Sequence, residues 1–191
     1  MTENDPNTGY LTGQLLVAMP AMSDPRFERS VIYMCAHTED GAMGLVINRE
    51  LESISFPDLL EQIGIEATPP KDAIRILFGG PVEQSRGFVL HSTDYKLDDT
   101  LEVHGGIALT ASVDILRAIA EGHGPAQSLL VLGYAGWGPG QLEGEIQQNG
   151  WLHAPADTDL VFGIALEARW DASLARIGIS PSALSGQAGH A

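Results

Sequence analysis

One cysteine, Cys35, in 191 residues excludes an intrachain disulfide framework and fits a reducing compartment. Basic residues are also scarce, with ten Lys and Arg against twenty-five Asp and Glu, so the chain carries a formal net charge of -15. The ten cations are scattered along the chain rather than gathered on one stretch. That disfavours a phosphate-neutralising surface and, with it, direct nucleic-acid binding. Long apolar runs are missing: Leu15 to Met22 is broken by Pro20 and is far below the ~20 residues of a membrane span. The opening MTENDPNTGY lacks the basic and apolar regions of a secretory signal, so a cytoplasmic protein without a membrane segment is expected. The six histidines form no His-Glu-x-x-His or close His-x-His pattern, and there is no second thiol or Gly-x-Ser-x-Gly turn. Neither a metal, a cofactor nor a catalytic set is therefore expected.

What is present suffices for one sizeable core, since 44% of the residues are hydrophobic. Gln14 to Met19 reads as a strand stopped by Pro20, and Ala21 to Arg29 as a connecting loop. Val31 to His37 is apolar on both alternating faces, which predicts a central strand covered on both sides. Asp40-Gly41 then signals a hairpin turn into Gly44 to Ile47. Ser55, with Asp58 three residues on, predicts a short capped helix ending at Gly64, before Thr68-Pro69-Pro70 breaks the chain. Strands follow at Ile74 to Phe78, Gly87 to His91 and Ile107 to Thr110, with a polar loop from Asp94 to Thr100. A helix from Ser112 to Glu121 stops at Gly122. Beyond it, Trp151-Leu152 and Leu160 to Phe162 read as short strands, and Leu166 to Ile177 as a final helix. Hairpins with inserted helices imply an α+β fold around a curved, largely antiparallel sheet. Residues 11–184 are expected as one domain between flexible tails at 1–10 and 185–191.

The densest motif is GYAGWGPGQLEGEIQQN, Gly133 to Asn149, which follows the apolar run Ser128 to Leu132 in a strand, glycine loop, helix order. Phosphate-binding loops use that order, but the chemistry here opposes it. Gln141 and Leu142 stand where Lys and Ser or Thr are needed, Pro139 removes an amide donor, and Glu143 and Glu145 place negative charge in the first helical turn. The segment therefore reads as a structural turn. Cys35 and His37 form the one suggestive reactive pair, because residues two apart on a strand share a face. Their apolar neighbours favour an inert core thiol instead.

Four ordered blocks carry a resemblance: GQLLVAMPAMSDPRFERSVIYMCAHTEDGAMGLVINR, LFGGPVEQSRGFVLH, LGYAGWGPGQLEGEIQQNGWLHAP and the terminal AGHA. From about Leu11 onward the chain resembles the AlgH/YqgE family of bacterial proteins. The resemblance implies a single cytoplasmic α+β domain with its sheet curled into a partial barrel. It implies little chemistry, although one branch is named as a transcriptional regulator of alginate production. The blocks contribute Pro20, Asp24, Phe27, Arg29 and Ser30, then His37, Gly44 and Asn48. They also contribute Gly79, Gly80, Pro81 and His91, then Gly136, Trp137, Gln141, Glu145 and Trp151. The glycines and prolines read as turn formers, Phe27 and the tryptophans as core, and Arg29 as half of a surface ion pair. Asn48, Gln141 and Glu145 are polar groups beside apolar strands, and need either internal partners or a ligand. The favoured expectation is a non-enzymatic binding or regulatory protein with a groove near Pro20, Asn48, Gly80 and Trp137, taking a small molecule or another protein. The alternative is a thiol-dependent or hydrolytic enzyme using Cys35 with His37 or His91.

Overall fold

Nine strands join in one sheet in the computed structural model, which describes residues 10–66 and 74–180. They are β1 (Gln14–Ala18), β2 (Val31–Thr38), β3 (Gly41–Val46), β4 (Ile76–Phe78), β5 (Val82–Ser92), β6 (Leu101–His104), β7 (Ile107–Thr110), β8 (Ser128–Trp137) and β9 (Trp151–Pro155). Across the sheet they run β6-β7-β5-β8-β3-β2-β1-β9, every pair antiparallel. β4 lies off this path and pairs parallel with β8, Ile76 opposite Leu130. The sheet curls into a half-barrel, giving the α+β class expected from the sequence.

Helices cover both faces of the curl. On the inner face, Leu15, Val31, Tyr33, Leu45, Leu90 and Val131 pack against Leu160, Trp170 and Leu174 from the C-terminal elements, the last two on α4 (Arg169–Arg176). On the outer face, α1 (Phe56–Gln62) and α2 (Val113–Ala120) cover the β4, β5 and β8 end through Leu59, Leu60, Ile115 and Leu116. The remaining outer face carries Leu16, Ile32, Met34, Trp137 and Trp151 beneath Leu142 of α3 (Gln141–Gln147). α1 begins as the sequence predicts: the Ser55 hydroxyl accepts from Asp58 N–H while the Asp58 carboxylate accepts from Ser55 N–H.

The β2–β3 hairpin forms at Asp40-Gly41, and β2 is buried on both faces from Val31 to Cys35. One irregularity matters. Met34 lies opposite Gly44 but Ala36 lies opposite Met43, so a β-bulge adds a residue at Cys35.

Three readings need correction. Gly133 to Trp137 is not loop but the second half of β8, paired with β3 through Ala42 opposite Trp137, and only residues 138–140 connect it to α3. Leu160 to Phe162 lies in one turn of π-helix, Asp159–Gly163, and not in a strand; at its start the Asp157 side chain takes the Leu160 N–H and the Asp157 carbonyl takes the Val161 N–H. The last helix is a 3₁₀ turn, Leu166–Ala168, followed by α4 from Arg169. β6 carries mostly exposed side chains and gave no strand signal. The break at Thr68 to Pro70 and the expected tail 185–191 lie outside the described residues, as does most of the tail 1–10. Among the described residues no helix is long and apolar enough to cross a membrane.

Candidate functional site

Trp137, Gln141 and Glu145, expected as ligand-binding candidates, lie together with their polar groups facing one another. Glu145 Oε1 accepts the indole N–H of Trp151 at 3.2 Å and that of Trp137 at 3.4 Å, and Oε2 accepts from Gln141 Nε2 at 3.3 Å. Gln141 Oε1 accepts the Gly138 N–H at 3.0 Å, so the connecting loop supplies a donor to its own helix. Both indoles are buried, and Phe27 meets Trp151 edge-on at 5.7 Å. The cluster pins α3 to the sheet and leaves little polar capacity for a ligand.

Gly79 and Gly80 serve close approach between backbones. A Cβ on Gly79 would lie 2.3 Å from the Gly133 carbonyl oxygen, and one on Gly80 would lie 2.1 Å from the Tyr134 carbonyl carbon. Any side chain there would push β8 away from the segment that leads through half-buried Pro81 into β5. Pro20 sits in a turn closed by Met22 N–H to the Met19 carbonyl, 2.9 Å.

The bulge separates Cys35 from His37. Cys35 packs in the inner core, and burial pushes its thiol pKa up to about 12. His37 lies opposite Ala42 on the outer face and meets the α3 layer. Its Nδ1 accepts the Leu11 N–H at 3.0 Å, so the network assigns the proton to Nε2, which donates to Glu143. Glu143 is held below the usual carboxylate range by its own backbone N–H and then by His37. His91 is wholly buried: Nδ1 donates to the Ser92 carbonyl at 2.8 Å and Nε2 accepts from Thr110 Oγ1 at 2.7 Å. The Thr110 oxygen accepts in turn from Thr100. Both imidazoles have each ring nitrogen engaged. Among the described residues no three His, Cys, Asp or Glu side chains converge on a metal-sized site.

Asn48 lies elsewhere, in a cleft of about 180 Å³ lined by Glu28, Arg29, Ser30, Arg49, Glu167 and Trp170. Its Oδ1 accepts the Val31 N–H at 2.9 Å and its Nδ2 donates to the Arg29 carbonyl at 2.8 Å. Arg49 donates to the carbonyls of Arg26 at 2.5 Å and Glu28 at 3.2 Å. These two side chains therefore fix the loop that ends at Ser30. Among the described residues Arg29 does not form the surface ion pair read from the sequence; its guanidinium stacks 4.5 Å from the centre of the Trp170 ring, and the loop's ion pair is Arg26 with Asp24. Its backbone is left-handed, with φ 54°. Ser30 is 1% exposed and its hydroxyl has no hydrogen-bond partner among the described residues. Pro20, Gly80 and Trp137 do not line this cleft. Arg49 and Trp170 escaped sequence reasoning because no local pattern joins them to Asn48.

Comparison with known proteins gives a consistent picture. A family profile described as AlgH-like matches residues 15–182. The chain is 59% identical over 183 residues to a UPF0301 protein of Rhodospirillum rubrum, covering 96% of this chain and 95% of that one. It is 57% identical over 192 residues to a UPF0301 protein of Afipia carboxidovorans, covering 96% and 91%. The solution structure of AlgH from Pseudomonas aeruginosa is similar with a TM-score of 0.79 at 47% identity, covering 100% of each chain. A crystal structure from Corynebacterium diphtheriae, at 22% identity and TM-score 0.71, covers 97% of this chain and 94% of that one and shares the fold.

Proposed function

The chain belongs to the AlgH-like family, and we propose that it is a cytoplasmic, non-enzymatic binding protein holding a small polar ligand with an acidic group in the Asn48 cleft. The observation that carries this reading is Ser30, a lining residue of the cleft whose hydroxyl, buried just behind that lining, has no partner among the described residues. An orphan hydroxyl is costly in a folded interior, and a ligand acceptor removes that cost. Arg29 and Arg49 beside it supply positive charge in a chain of net charge -15. Any effect on transcription follows from occupancy and a protein partner rather than from contact with DNA, since so acidic a chain opposes phosphate.

The enzymatic alternative gains nothing from the geometry, because the thiol is buried and the bulge turns His37 away from it. Cys35 is expected to alkylate near neutral pH only as fast as the protein opens.

Native mass spectrometry of protein isolated from its own host is expected to show a bound small molecule that Arg29→Glu releases. Ser30→Ala is expected to weaken the same ligand while raising stability by about 1 kcal/mol, because it deletes an unsatisfied buried group. Two results sink the reading. In one, wild type and both variants carry identical small molecules; in the other, wild type carries none and small organic acids leave its melting temperature unchanged.

A further inference from the structure

A second cleft, of about 380 Å³, opens between the inner face of the sheet and the π-helical turn. It shares only Leu166 with the Asn48 cleft, so an inference about it stands apart from the reading above. Arg169 lines it. This side chain is 5% exposed, donating through Nε to the Ile164 carbonyl at 3.1 Å and through Nη1 to the Ile47 carbonyl. A guanidinium has five N–H groups, so three remain without an acceptor among the described residues. Among the described residues no carboxylate lies within 4 Å of it. Glu167, whose charge acts on Arg169, is largely exposed and binds Arg75 at 3.2 Å. Buried charges in folded proteins are almost always paired, and this one retains unused donors on the wall of an open cleft.

The rest of the lining defines what would pair with it. Leu77, Leu129, Phe162, Ile164 and Leu166 form apolar walls, and Arg75 stands at the rim. The volume falls in the range of small-molecule sites. A planar carboxylate matches the guanidinium fork, and a single negative charge matches a single buried cation. We propose that the Arg169 cleft binds a small carboxylic acid with an apolar body, its carboxylate on Arg169 and its hydrocarbon against Leu129 and Phe162.

The probes are octanoate, acetate as the head alone and octanol as the body alone, titrated into the folded protein and followed by amide chemical shifts. Octanoate is expected to saturate with its largest shifts at Leu129, Phe162 and Ile164, and each fragment to bind at least about tenfold more weakly. Arg169 also anchors Ile47 and Ile164, so Arg169→Met tests folding as well as binding. Ala165→Trp, at an exposed lining position, fills the cleft without touching those bonds and is expected to abolish saturation. The proposal is overturned by octanol binding as tightly as octanoate, by shifts mapping outside the cleft, by Ala165→Trp binding like wild type, or by no saturation in the millimolar range.

Discussion

The layer beneath α3 and the region around α4 differ in how their polar groups are satisfied. Under α3, Glu145 accepts from two indoles and Gln141, Gln141 caps Gly138, and His37 links Leu11 to Glu143. Around α4, by contrast, among the described residues the Ser30 hydroxyl has no partner and Arg169 has unused donors. The α3 layer carries the densest motif of the sequence, Gly133 to Asn149, yet it is the closed side. Motif density there records a packing solution, whereas capacity for a ligand lies where buried polar groups lack partners.

Four substitutions can break or sharpen this contrast. Trp151→Ala removes a wholly buried indole and one donor to Glu145, and a loss of about 3–5 kcal/mol is expected in urea unfolding. A loss under about 1 kcal/mol would mean that the α3 layer is not the packed side. Asn48→Ala leaves the Val31 N–H without its acceptor, for an expected loss of about 1–3 kcal/mol and faster hydrogen exchange at Val31. Arg29→Ala removes only an exposed stack on Trp170, so about 0.5–1 kcal/mol is expected; a much larger loss would make Arg29 structural rather than available.

Glu143→Gln should matter least and depend on pH. The folded carboxyl titrates below its unfolded value, so its contribution is present above the unfolded pKa and fades as pH falls through the lowered folded one. With 41% of the side chain exposed, solvent screening limits the difference from wild type to about 0.5 kcal/mol at neutral pH. Chemical unfolding of both proteins down through the carboxylate range measures it; a difference that grows on acidification contradicts the assignment.

Local chemistry announced much of the fold. Apolar residues on both faces marked β2 as doubly covered, Asp40-Gly41 marked its hairpin, and Ser55 with Asp58 marked the start of α1. Apolar content alone could not separate Leu160 to Phe162 from a strand, since a short apolar run fits a buried helical turn equally well. The insertion of β4 beside β8 was equally hidden, because parallel pairing joins Ile76 to Leu130, far along the chain. Of the candidate site, only Asn48 was singled out in advance as a polar group needing a partner or ligand. Its surroundings come from Arg29, Arg49 and Trp170, and the neighbouring cleft depends on Arg169 meeting Ile47 from 122 residues away.

The bulge at Cys35 shifts the phase of one strand. Before it, odd-numbered residues of β2 face the inner core; after it, His37 faces the outer layer and meets Glu143. A single deletion between Val31 and Cys35 would cancel that shift, leaving the early strand to choose between its core register and the histidine's contact with α3. Side-chain replacement at Cys35 is therefore a smaller change than altering the strand's length, for what this position contributes is one residue of contour.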